Sequence, residues 1–138
     1  QEMADYRLPI FLALPIRHRA IIAAPLLTPL DISVYLDSEK IEEVSASGES
    51  GADARPCHYG WILALRQQCA ERDISFQFHQ TGAHFVKDGK MYRVPRREQI
   101  AQARKAGIDY KVAAHDLPLC ALEHVASLRQ EPEQLSLL

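Results

Sequence analysis

Residues 61–82, WILALRQQCAERDISFQFHQTG, decide the fold class. Trp61, Ile62, Leu65 and Cys69 fall at i, i+1, i+4 and i+8, which is one apolar stripe of a helix over residues 61–72. Ile74, Phe76 and Phe78 then alternate strictly with Ser75, Gln77 and His79, the period of a strand with two unlike faces. Upstream, the apolar run at residues 20–24 reads as a strand covered on both faces, closed by Pro25 and Pro29. Residues 40–47, KIEEVSAS, read as a second strand, and residues 31–36 as a short helical turn. Before them, residues 5–14 predict a short buried helix with Pro9 in its first turn and Ile10, Phe11 and Leu14 on one face. Helices and strands therefore alternate with short connections, which predicts an α/β fold of parallel strands with helical crossovers.

Downstream of Gly82 the pattern changes. Asp88-Gly89 between two short runs in residues 83–94 predicts a hairpin. Residues 95–106 predict a basic helix ended by Gly107, and residues 117–128 a last short helix. From Lys87 to Lys111 there are eight lysines or arginines against three acids. That segment could meet phosphates, with Tyr92 and Tyr110 available for stacking, although its residues also suit a solvated surface. The organisation expected is residues 1–82 as barrel-like α/β, 83–130 as a hairpin and helical extension of the same domain, and 131–138 as a tail.

Composition narrows the class. The chain has 138 residues, 47% apolar and 25% charged, with net charge −2, which fits one globular domain and no general polyanion binder. The apolar runs are too short for a membrane span, and no signal peptide is visible, so a cytoplasmic protein with no membrane partner is expected. Gln1-Glu2-Met3 is an unusual beginning: either translation starts at Met3 or this is a piece of a longer protein. Cys57, Cys69 and Cys120 form no CxxC pair, and the six histidines show no HxH or HxxxH spacing. Neither a disulfide framework nor a metal site is expected.

In parallel α/β folds, ligands sit beyond the carboxyl ends of the strands. Gly48-Glu49-Ser50-Gly51 directly follows a strand there, with glycines for close backbone approach and a carboxylate for an amine or hydroxyl. Gln77 and His79 belong to the polar side of the alternating strand, which in a barrel is the interior. On pattern alone the same residues also read as a tight turn and a solvated face.

These segments together resemble a known family. Residues 4–27 and 48–82, above all GESG, Ala54-Arg55-Pro56, the Trp-led helix with LRxQC and the F-x-F-x-Q-x-G strand end, are similar to a bacterial and phage family of unknown function. Its members are named as phage proteins numbered thirty-seven or sixty-eight, and the family is radical-SAM-like. The resemblance runs from Ala4 to Tyr110. It implies a partial (β/α) barrel of which this chain is the C-terminal half. The half that would carry a [4Fe–4S] cluster and bind S-adenosylmethionine is absent, so no cofactor is expected in this chain and both only in a longer product. Gly48, Glu49, Ser50, Gly51, Arg55, Trp61 and Gln80 match the family pattern; Arg55 would bind a carboxylate or phosphate. Ser47, Ala24 and His79 depart from it, standing where glycine, glutamate and lysine are common.

The tail carries a separate signal. Gln134, Leu135, Ser136, Leu137 and Leu138 resemble the pentapeptide with which bacterial replication and repair proteins bind the DNA sliding clamp. Three functions are therefore expected as rivals. The first is the C-terminal part of a radical-SAM-like protein of unknown substrate acting on nucleic acid. The second is a non-catalytic protein binding the clamp through 134–138 and DNA through the basic segment. The third is a structural remnant that persists by homo-oligomerisation.

Overall fold

The alternation in residues 61–82 forms the centre of the molecule. The computed structural model describes residues 1–113. Helix α2 (Tyr59–Ala70) buries Ile62, Leu65 and Cys69 completely, and strand β4 (Ser75–Gln80) buries Phe76 and Phe78 against the same core. Two earlier strands, β1 (Ala20–Ala23) and β2 (Glu43–Ser47), join β4 in a parallel sheet of order β1-β2-β4. The registers Ile21–Val44–Phe76 and Ala23–Ala46–Phe78 align one apolar face. A short 3₁₀ turn, Ser33–Tyr35, lies between β1 and β2, where the helical turn was expected. The fold is α/β with parallel strands, and the described strands do not close a barrel.

The hairpin is β5 (His84–Lys87) and β6 (Lys90–Arg93), paired antiparallel. Asp88 and Gly89 have φ of 52° and 72°, the two positive values that a two-residue turn of matching twist requires. Helix α3 (Arg96–Lys105) follows, with Arg104 and Lys105 in its last turn complementing the helix dipole. Gly107 at φ 61° takes the left-handed position just past its end. Phe85 of the hairpin and Ala103 of α3 belong to the same core as β4.

Three local expectations are corrected. Helix α1 (Glu2–Ala13) forms, but Pro9 lies inside it rather than in its first turn. Ile10 and Leu14 are exposed and Leu8 is the buried residue. Arg19, itself buried, donates to the Leu12 and Leu14 carbonyls, so a cation satisfies the open carbonyls at the end of α1. Strand β1 is not covered on both faces: among the described residues it is an edge strand, and Ile22 is 72% exposed. Finally, the segment between β2 and α2, for which no strand was expected, contains β3 (Cys57–His58), which pairs parallel with β5. Two residues carry no readable period, so the sequence pattern could not reveal it.

Among the described residues, nothing packs over one face of the parallel sheet. Ile22, Ser45 and Gln77 align in register on the side opposite the core; Ile22 and Gln77 are exposed, as is His79. The outer edge of β4 is capped, since Tyr110 exchanges backbone hydrogen bonds with Phe76 and the Asp109 carboxylate accepts from the Phe78 N–H. Among the described residues no strand pairs with the outer edge of β1.

Candidate functional site at the carboxyl edge of the sheet

The carboxyl ends of β2 and β4 meet at unusually short range. The Gly48 N–H donates to the Gln80 carbonyl (3.0 Å), and a Cβ at Gly48 would stand 2.7 Å from the Thr81 carbonyl carbon. Gly82, at φ +80°, lies equally close to the Glu49 backbone. Glycine is therefore required at both positions, because two backbones occupy the space a side chain would need. The Ala83 N–H donates to the Glu49 carbonyl (2.8 Å), which ties the GESG loop to the start of the hairpin.

A chain of amides extends this junction. The Gln80 carboxamide donates to the Gly48 carbonyl (3.3 Å) and the Ser50 hydroxyl (3.2 Å). Ser50 in turn donates to Oε1 of Gln99 (2.7 Å), and Nε2 of Gln99 donates to the Val94 carbonyl (3.1 Å). Gln99 is 2% exposed and links the loop, the hairpin and α3. It was not among the residues singled out from the sequence. A glutamine on a basic helix looks like solvated surface, and only the helix period, four residues before Ala103, marks its face as inward.

Glu49 and Arg55 meet each other. Nε and Nη2 of Arg55 donate to the two carboxylate oxygens at 2.9 and 2.8 Å, and the Arg55 N–H adds a third bond at 2.8 Å. This bidentate pair closes the loop and holds the Glu49 carboxyl at about 2, well below its ordinary value, chiefly through the Arg55 side-chain bonds. Because the folded value is depressed, the stabilisation is present above the ordinary carboxyl range near 4.5 and is lost as pH falls toward about 2. In thermal melts, Glu49→Gln should therefore flatten the fall in Tm across that window. A variant whose acid profile overlays that of the unmodified chain would show that the pair does not act this way.

Gln77 and His79 remain on the bare face and are not drawn into this network. Gly51 stands open at φ +125°, with nothing near its Cα that a side chain would meet. The helix expected at 117–128 and the clamp-like residues 134–138 lie outside the described residues. Among the described residues, no three His, Cys, Asp or Glu side chains come together to hold a metal ion. Both described cysteines are buried, and burial pushes the Cys57 and Cys69 thiols up to about 12.

Beside the junction, a cleft of about 540 Å³ opens between the hairpin and α3. Lys87, Arg93 and Lys105 line it together with Tyr59, Phe85 and Tyr92. Tyr110 does not: its hydroxyl donates to Asp73 (3.2 Å) and its ring lies under Arg66. No helix among the described residues is long and apolar enough to cross a membrane.

A family model described as "Protein of unknown function (DUF5131)" matches residues 1–118. No curated protein and no solved structure matches the chain.

Proposed function

The chain belongs to that family of proteins of unknown function, DUF5131, and from this premise we propose that it is the substrate-facing C-terminal part of a phage-associated, radical-SAM-like barrel protein that acts on nucleic acid. The observation that carries this reading is the bare face of the parallel sheet. Parallel sheets occur almost only with both faces covered. Here the helices cover the face of Val44, Ala46, Phe76 and Phe78, while Ser45, Gln77 and His79, with Ile22 beside them on β1, stand on a mainly polar face turned away from it. A barrel interior explains a polar parallel face, and further strands added at the open edge of β1 would enclose it. The GESG loop and Gln80 then lie at the carboxyl mouth, where such folds hold their ligands.

The residues present do not fit an iron–sulfur cluster. Such clusters are held by cysteine thiolates, whereas Cys57 and Cys69 are buried with raised thiols and belong to no metal-ligating group among the described residues. In this reading the cluster ligands come from a part of the protein beyond this sequence. This chain contributes a fixed carboxylate at Glu49, held ionised by Arg55, and an oriented carboxamide at Gln80.

The test is made on the complete native gene product, purified without oxygen. A longer chain with about four irons that cleaves S-adenosylmethionine under reduction supports the reading. A product no longer than this chain and free of iron overturns it.

A further inference from the structure

We propose that the cleft between the β5–β6 hairpin and α3 binds single-stranded nucleic acid, with a base stacked against Tyr92 and the adjoining phosphates on Lys87, Arg93 and Lys105. This deepens the nucleic-acid part of the function proposed above and is independent of its iron–sulfur part.

The hairpin register builds the site. Phe85 pairs with Tyr92, and Lys87 with Lys90. Residues directly opposite in an antiparallel pair share a face, as do residues two apart along a strand. Phe85, Lys87, Lys90 and Tyr92 therefore occupy one face, aromatic and cationic groups interleaved, while Arg93, opposite His84, belongs to the other face and borders the cleft where the chain leaves β6 toward α3. Lys90 Nζ lies 5.2 Å from the Tyr92 ring centroid, and Lys87 Nζ lies 5.2 Å from that of Tyr59 on α2. Beneath them Phe85 packs edge-on to Tyr59 and stacks on Phe78, with centroids 5.8 Å apart in both pairs, which gives the floor a rigid aromatic base.

Charge selects the ligand. Three cations line the cleft against one acid, Glu98, whose neighbour Arg97 lies 3.5 Å from it. Among the described residues none of the three cations has a carboxylate within salt-bridge distance. Tyr92 lines the cleft and is 43% exposed, so its ring is open to a flat partner. The volume of about 540 Å³ suits one nucleotide rather than a duplex. Cations from both sides, Lys87 and Arg93 from the hairpin and Lys105 from α3, with an exposed ring among them, are the two elements that single-strand binding requires, and neither reads base identity.

The experiment measures fluorescence anisotropy of labelled dT and rU oligonucleotides of about 12 residues with the full 138-residue chain. Binding should weaken roughly 20-fold between about 50 and about 200 mM salt if three phosphates are neutralised. Tyr92→Ala should weaken it about 5- to 150-fold. The combined Lys87→Gln, Arg93→Gln, Lys105→Gln variant should lose about two units of the salt slope. All four residues are solvent-exposed, and an unchanged melting curve would confirm that each variant folds. The cleft is excluded if neither oligonucleotide binds, if the variants bind like the unmodified chain, or if a duplex of equal length binds as well. Such a failure alongside S-adenosylmethionine turnover by the complete product would remove the cleft and leave the barrel reading standing.

Discussion

Gly48→Ala should leave the protein largely unfolded, or stable only at low temperature. The added methyl would meet the Thr81 carbonyl group on one side and come within 3.0 Å of the Cys57 Cβ on the other. Overpacking costs about 1–3 kcal/mol when neighbours can yield, and occasionally more. Here the nearer neighbour is backbone, fixed by the hydrogen bond from Gly48 to Gln80 and by the pairing of Ser47 with Gln80. A loss of at least about 3 kcal/mol is expected, a large share of the roughly 5–15 kcal/mol that stabilises an ordinary domain. Gly82→Ala should be comparably severe, since it combines a Cβ 2.7 Å from the Glu49 carbonyl with a positive φ. Gly51→Ala isolates the conformational part: it has the positive φ but open space, so about 1–2 kcal/mol is expected. Urea unfolding of the three variants gives the order. If Gly48→Ala unfolds at the same midpoint as the unmodified chain, β2 and β4 do not converge as closely as described, and the amide junction built on that convergence is gone with it.

The same pair of glycines shows what could be read from the sequence. GESG was recognisable as a ligand-edge turn because it follows a strand, and the F-x-F-x-Q-x-G ending placed Gln80 and Gly82 at the end of another. That the two endings lock into each other was not visible, because parallel pairing joins residues about 32 apart and leaves no periodic trace. The helix α2, the strand β4 and the Asp88-Gly89 hairpin were legible for a local reason: period and turn chemistry are written within a few residues. The errors fell where local pattern and tertiary position disagree. Residues 20–24 look like a fully buried strand by composition, yet β1 is at an edge and Ile22 is open. Helix α1 was expected to bury Ile10 and Leu14, but the chain turns so that Leu8 meets the core and Arg19 caps the helix end. Glu49 and Arg55 were both singled out as ligand groups. Their mutual pairing depends on the curvature of the loop that joins them, which no spacing rule specifies.

Phe76→Ala and Gln77→Ala, adjacent on one strand, should differ by several kcal/mol. Phe76 is 1% exposed and lies in register with Val44 and Ile21, so its truncation should cost about 3–5 kcal/mol as a cavity forms under α2 and α3. Gln77 looks out from the bare face beside Ser45, and in the 138-residue chain its truncation should change stability by no more than about 0.5 kcal/mol. His79→Ala should behave like Gln77→Ala. Denaturant midpoints decide this directly: a Gln77→Ala loss above about 1 kcal/mol would mean that the face is covered, and the barrel argument would lose its footing. The functional consequence runs the other way. In a complete barrel, Gln77 and His79 would line the interior, so their truncation should reduce turnover while leaving the melting temperature in place. Phe76→Ala would lower both together. Polar residues that are neutral for stability in the present chain yet required for turnover in the complete product are what a substrate-facing wall predicts, and a merely solvated surface would leave both measurements unmoved.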